Sequence, residues 1–190
     1  MKKLKDQDIR DILDRKLNLK HRGEDVRIVH ELGVLHGQSR VDIAVVNGIL
    51  HGYEIKSESD NLLRLPNQII DYNKVFDRMT IVVQRKYLAE VKEIIPKWWG
   101  ILLVTTYKGE NHLREIRKGR LNPNVDSLSL SMLLWKNEAL QCLKDRGLQK
   151  GYLSKPREVL YQHISDSLPL PEIKEIVNHK LKTRDNWRVY

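Results

Sequence analysis

Apolar residues first recur at helical spacing. Leu4, Ile9, Ile12, Leu13 and Leu17 approximate one face, with Asp, Arg and Lys elsewhere, so the pattern predicts a helix over Leu4–Leu17. A basic break follows at Lys20-His21-Arg22-Gly23. Val26–Glu31 then alternates in the manner of a strand. Arg40–Val46 and Ile49–Lys56 read as two more strands around Asn47-Gly48, a strong hairpin cue. Pro66 suits the first turn of a helix, and Ile69, Tyr72 and Phe76 carry the helical period to about Asp77. Beyond it lie a short apolar strand at Thr80–Val83 and a helix over Lys86–Ile95, stopped by Pro96. Ile101–Thr106 reads as a further strand, and His112–Ile116 as an edge strand past the turn at Gly109. Lys118–Ser127, with Gly119, Pro123 and several Asn and Asp residues, reads as a loop. Three helices complete the chain: Leu130–Leu143 with Gly147 as its stop, Pro156–Ile164, and Pro171–Leu181.

This order predicts an α/β fold: a mixed sheet flanked by helices, followed by a C-terminal helical extension. A length of 190 residues suits one domain with an appendage, here a core over residues 1–120 and a helical subdomain over 121–190. No run approaches the roughly 20 apolar residues that span a bilayer, so no membrane partner is expected. Met1-Lys2-Lys3-Leu4-Lys5-Asp6 has no apolar run behind it, and no secretory signal is read there. The single cysteine, Cys142, forms no internal disulfide and no thiolate cluster, which fits a reducing, cytoplasmic setting.

Charge adds a partner class. The net charge is +9, from 34 Lys plus Arg against 25 Asp plus Glu, which favours nucleic acid. Ser129–Tyr190 carries 11 of those cations and 7 of the acids, so the helical extension is expected either to grip DNA or simply to complete the fold. Whether the chain works alone or as a homodimer is left open.

Candidate chemistry centres on three charged residues, Asp42, Glu54 and Lys56, set within apolar strands. Buried charges are costly unless paired with each other or with a metal. Glu54 and Lys56 share a strand face, with Ile55 on the other. Two carboxylates on adjacent strands make a hard oxygen site suited to Mg²⁺ or Mn²⁺. Such an ion acidifies a water and neutralises charge developing on a phosphodiester, while Lys56 assists the water. The plainer alternatives are an Asp42–Arg40 pairing and an exposed Glu54–Lys56 pair.

Asp42, an eleven-residue gap and Glu54-Ile55-Lys56 together resemble the active-site signature of the PD-(D/E)XK nuclease superfamily, with Val41 at its Pro position. Glu31 matches the upstream acid that many members carry; Asp8 and Asp11 are its rivals here. Gln68-Ile69-Ile70-Asp71-Tyr72 is similar to the Gln-x-x-x-Tyr motif of the RecB-like branch, and on a helix both side chains share one face. The resemblance implies a restriction-endonuclease-like core and a Mg²⁺- or Mn²⁺-dependent deoxyribonuclease acting on DNA. It implies metal bound by Asp42 and Glu54 with Glu31 and the carbonyl of Ile55, Lys56 assisting the water, and Gln68 and Tyr72 positioning the substrate strand or bracing Lys56. A non-catalytic nucleic-acid-binding or regulatory module on the same fold is the alternative.

One geometric condition follows. With a two-residue turn at Asn47-Gly48, Asp42 would lie opposite Tyr53 and face away from Glu54. The site therefore needs a three-residue loop or a bulge in this hairpin. Of the other candidates, His30, His36 and His51 lack zinc-motif spacing and are expected to be structural or phosphate-facing. Trp98-Trp99 is expected to cover a core edge or to stack on bases, and Arg64 and Lys74 to touch phosphates or solvent.

Overall fold

Period-two alternation along the first three strands sorts their side chains into two apolar layers, and the sheet is built around that sorting. The computed structural model describes residues 4–185. Helix α1 (Asp6–Lys20) precedes strands β1 (Arg27–Val34), β2 (Ser39–Val46) and β3 (Leu50–Lys56). Helix α2 (Leu65–Val75) crosses to β4 (Arg78–Gln84), and α3 (Leu88–Ile94) crosses to β5 (Gly100–Tyr107), which turns into β6 (Glu110–Arg117). Helices α4 (Ser127–Ser131), α5 (Lys136–Lys144), α6 (Arg157–Ser167) and α7 (Leu170–Thr183) follow. The chain is α/β, with a mixed sheet of six strands in sequential order. β3, β4 and β5 are parallel neighbours, and the other pairings are antiparallel. Met79–Gln84 of β4 and the first half of β5 are buried on both faces, as interior parallel strands are, with Ile81-Val82-Val83 and Ile101-Leu102-Leu103-Val104 as their apolar centres.

One face of the sheet packs on α1. Ile9, Leu13 and Leu17 meet Ile43, Val45, Tyr53, Ile55, Val82 and Leu102 there. The other face carries the larger core, where Ala44, Val46, Leu50, Ile81 and Ile101 meet α2 and the C-terminal helices. Regular alternation would send Val41 to the α1 side with Ile43 and Val45, yet Val41 lies in the larger core. Leu32 likewise shares a face with Val29, three residues away. Both strands switch faces at one level, where Glu31 stands opposite Asp42 in the register and outside the paired ladder. Glu31 takes the left-handed conformation there, with φ 54°.

The helical extension shares the larger core with the sheet; Leu130, Leu143, Leu160, Tyr161, Ile173 and Val177 are all part of it. The segment between β6 and α4 is tied down by buried Asn122. Its N–H donates to Asp77 O (2.8 Å), and its Nδ2 donates to Asn73 O (2.7 Å) and Phe76 O (2.9 Å). Arg184 donates to both oxygens of Glu138 (2.9 and 2.5 Å) and to Leu133 O, and stacks over Trp135.

Several boundaries depart from the pattern. The helix expected over Leu130–Leu143 is two helices. Asp126 caps α4 early by accepting from Ser129 N (2.7 Å), and the Glu138 carboxylate accepts from Trp135 N (2.7 Å) and starts α5 anew. The helix expected to reach Asp77 stops at Val75, because Phe76 is extended and the Asp77 carboxylate accepts from Leu50 N (2.8 Å). The first strand continues past Glu31 to Val34. Among the described residues no helix is long and apolar enough to cross a membrane. Residues 1–3 of the amino-terminal reading, and Arg188 of the carboxy-terminal charge count, lie outside the described residues.

Candidate functional site at the β2–β3 end of the sheet

The hairpin loop satisfies the condition set by the sequence. Val46 pairs with Leu50, leaving a three-residue loop, Asn47-Gly48-Ile49. Gly48 takes φ 99°, which glycine adopts without strain, and Asn47 N donates to Ile49 O (3.2 Å). Continuing the register of Ile43 with Tyr53 sets Asp42 opposite Glu54. The ladder ends one step short of that level, so the Ile55 N–H, facing the gap, donates to Asp42 Oδ2 (2.6 Å). The N–H and C=O of one strand residue point to the same edge, so the Ile55 carbonyl also faces this gap.

Glu54 is the hub. It is 2 % exposed, and each of its oxygens is held. Lys56 Nζ donates to Oε1 (2.7 Å), Gln68 Nε2 donates to Oε1 (2.7 Å), and the Tyr72 hydroxyl donates to Oε2 (2.9 Å). Lys56 Nζ also donates to Gln68 Oε1 (3.1 Å). α2 presents Gln68 and Tyr72 one turn apart on the face against β3, and Gln68 Nε2 reaches the Tyr72 hydroxyl (3.3 Å). The Tyr72 hydroxyl lies equally within reach of Arg40 O (2.7 Å). Its one proton serves one acceptor at a time, so Arg40 O and Glu54 Oε2 share this donor.

Asp42 is gripped from the other side by Arg10 of α1, which the sequence reading passed over. Arg10 donates to Asp42 Oδ1 (2.7 Å) and Asp42 O (3.0 Å), and also pairs with Glu31 (2.8 Å) and Asp6 (3.3 Å). Its only sequence signal is the Asp6–Arg10 spacing of four on one helix face, which is common on solvated helices. Burial pushes the Asp42 carboxyl up to about 7, with nearby Glu54 adding to the rise against the pull of the Ile55 amide and Arg10. Burial also raises Glu54, with Lys56 opposing. Tyr72 is pushed up by burial and then by Glu54.

Asp42, Glu54, Lys56, Gln68 and Tyr72 are thus brought together. Glu31 reaches the group only at its rim, through Arg10, with its side chain 48 % exposed. Its rivals stay outside: Asp8 accepts from Lys5 N at the start of α1, and Asp11 from Gln7 on the exposed face. The alternative pairing of Asp42 with Arg40 is not what forms; the guanidinium on Asp42 is that of Arg10, and Arg40 contributes its carbonyl. The Glu54–Lys56 pair is buried rather than a surface pair. Trp99 is fully buried, donates to Asn73 Oδ1 (2.9 Å) and stacks near Tyr72, so it is core and not a base-stacking surface. His51 lies on the opposite sheet face, and His36 lies near the Tyr161 ring.

The fit to a metal is one of chemistry more than of a ready cage. Among the described residues no three His, Cys, Asp or Glu side chains are grouped to hold an ion, so the expected set of Glu31, Asp42 and Glu54 is not preassembled. The donors that do meet, Asp42, Glu54 and the Ile55 carbonyl, are hard oxygens. Ionised, the carboxylates of Asp6, Glu31, Asp42 and Glu54 face two cations, Arg10 and Lys56, a deficit that a divalent ion would balance.

Fold and site together define an α/β protein with a buried acid–lysine cluster at one end of a mixed sheet. A family model described as bacteriophage P4 protein cII matches residues 2–188, and the chain belongs to that family. Protein cII of Enterobacteria phage P4 is 26% identical over 181 residues, covering 95% of this chain and 68% of the phage protein. A solved structure of a Silicibacter pomeroyi protein of unknown function, SPO1766, is similar at a TM-score of 0.46 and 18% identity, over 77% of this chain and 94% of that one.

Proposed function

We propose that this protein is a metal-dependent nuclease that hydrolyses phosphodiester bonds of DNA, with a restriction-endonuclease-like core of the PD-(D/E)XK kind. The observation that supports it most is the buried Glu54 carboxylate, opposite Asp42 in register, with Lys56 Nζ 2.7 Å away. Asp42, Glu54 and the Ile55 carbonyl would hold a Mg²⁺ or Mn²⁺ ion, which would supply Lewis acidity and a more acidic water. Lys56 has three N–H donors and spends two on Glu54 and Gln68, leaving the third for a water or a phosphate oxygen. Gln68 and Tyr72 hold the Glu54–Lys56 pair in place. Arg10 holds Asp42 in place and pairs with Glu31 at the rim of the site. The overall charge of +9 favours a polyanion in solution.

The test is cleavage of supercoiled plasmid, linear duplex and single strands in Mg²⁺, Mn²⁺ or EDTA. Asp42→Ala and Lys56→Ala are expected to lose cleavage by about a hundredfold to a thousandfold while still binding DNA. If both cut as well as the wild type in Mg²⁺, the proposal fails.

A second reading, a non-catalytic nucleic-acid-binding or regulatory module, is favoured by one observation: every oxygen of Asp42 and Glu54 already has a protein donor. Metal uptake separates the two. Under the nuclease reading Mn²⁺ binds and Asp42→Ala abolishes that binding; under the module reading DNA binds with no metal site at all.

A further inference from the structure

The α1 face of the sheet carries a second polar site that the candidate nuclease chemistry does not use. A cavity of about 120 Å³ opens between α1, the β3–β4 pair and the end of β6. Lys16, Lys20, Arg78, Arg117 and Lys118 line it against one acid, Glu115. Arg117 is spent on Trp99 O and Pro96 O, and Lys16 on Leu113 O. The side chains of Lys20, Arg78 and Lys118 have no hydrogen-bond or ion-pair partner among the described residues. The Arg78 Nε is also buried. A buried guanidinium nitrogen without an acceptor carries a real desolvation cost, and proteins rarely leave one so.

The walls of the cavity are built for a small polar guest. Arg78 stands beside His51 in the parallel register, and Thr80 beside Tyr53. His51 Nε2 meets Thr80 Oγ1 at 2.9 Å, and the Tyr53 hydroxyl lies 3.3 Å from His51 Nδ1. Gly100 keeps the space open: a Cβ there would lie 2.8 Å from Thr80 Oγ1 and 2.9 Å from Gly119 N. Burial first, then the positive field of Lys20 and Arg78, pushes His51 down to about 3, so it stays neutral. A space of about 120 Å³ is well below the size of sites that take drug-sized ligands, and it suits a small oxyanion.

We infer that this cavity is a phosphate-binding site, taking a single phosphate group from Arg78, Lys20 and Lys118 with Thr80 and Tyr53 as neutral partners. It is on the sheet face opposite Glu54, so it binds without reference to catalysis. Two sources present that chemistry: a phosphate-bearing small molecule, or the terminal phosphate of a nucleic-acid strand.

The test uses the full chain in EDTA, so that cleavage plays no part. Inorganic phosphate is titrated while the amide resonances of Thr80 and Gly119 are followed, against chloride at matched ionic strength. Saturable shifts with phosphate alone are expected. Lys20→Gln with Lys118→Gln, both at exposed positions, is expected to weaken binding about tenfold or more with unchanged thermal unfolding. Arg78→Gln is expected to act the same way. A 5′-phosphorylated oligonucleotide is then compared with its 5′-hydroxyl counterpart. An advantage for the phosphorylated strand, lost in the double variant, assigns the site to strand ends. Saturable inorganic phosphate with no such advantage assigns it to a small molecule. The proposal is overturned by equal shifts with chloride, by no saturation, or by an unweakened double variant.

Discussion

Tyr72 carries more than its place in the helix suggests. Its hydroxyl is the donor that holds Glu54 Oε2 and lies within reach of Gln68, while its ring packs against Phe76 and Trp99. Tyr72→Phe keeps the packing and deletes the hydroxyl, leaving a buried carboxylate oxygen short of a donor. A loss of about 1–3 kcal/mol is expected in urea unfolding, together with a fall in cleavage at unchanged DNA affinity. His51 makes the other prediction at this scale. Its folded value of about 3 lies below the ordinary 6.5, so the stability it contributes is complete above pH 6.5 and is lost as pH falls toward 3. Asp42, held protonated up to about 7, opposes this between pH 4 and 7. The difference between wild type and His51→Gln therefore isolates the histidine. The urea midpoint of the variant should drop less on acidification from pH 7 to 4.5. Asp42, Glu54 and Lys56 were legible because charges inside apolar strands stand out, and Gln68 with Tyr72 because they sit one helical turn apart. Arg10 was not, because a lone arginine on an amphipathic helix looks like a solvated charge until the sheet brings Asp42 to it.

At the scale of elements, the strands were more legible than the helical tail. Period-two patterning and Asn47-Gly48 located β2 and β3 to within a residue, since one buried face leaves little freedom of register. The break between α4 and α5 was hidden because Leu133 and Leu134 continue an apolar pattern that helix and turn satisfy alike. Only the Glu138–Trp135 cap, a side chain meeting an amide three residues back, decides it. The pairing of β3 with β4 depends on Gly52, where a Cβ would press into Met79 Sδ and lie 3.0 Å from Phe76 Cδ1. Gly52→Ala should overpack this contact and cost about 1–3 kcal/mol, read as a lower thermal midpoint.

Across the whole molecule, the helical extension and the sheet bury one another. The inward side chains of the strands are not separable from those of the tail: Ile81, Ile101, Leu130, Leu160 and Val177 lie in one core. A chain ended after Asp126 would expose that face, so residues 1–126 alone are expected to lose cooperative thermal unfolding by circular dichroism. The division at 120 that composition suggests is a change in pattern, and the packing runs across it. The three-residue loop at Asn47-Gly48-Ile49 has a consequence for relatives as well. Side chains alternate with a period of two, so an insertion or deletion of one residue in this loop puts Asp42 out of phase with Glu54, and a change of two restores it. Family members that keep the acidic pair should therefore differ in the length of this loop only by even steps, a parity rule that sequence comparison alone can check.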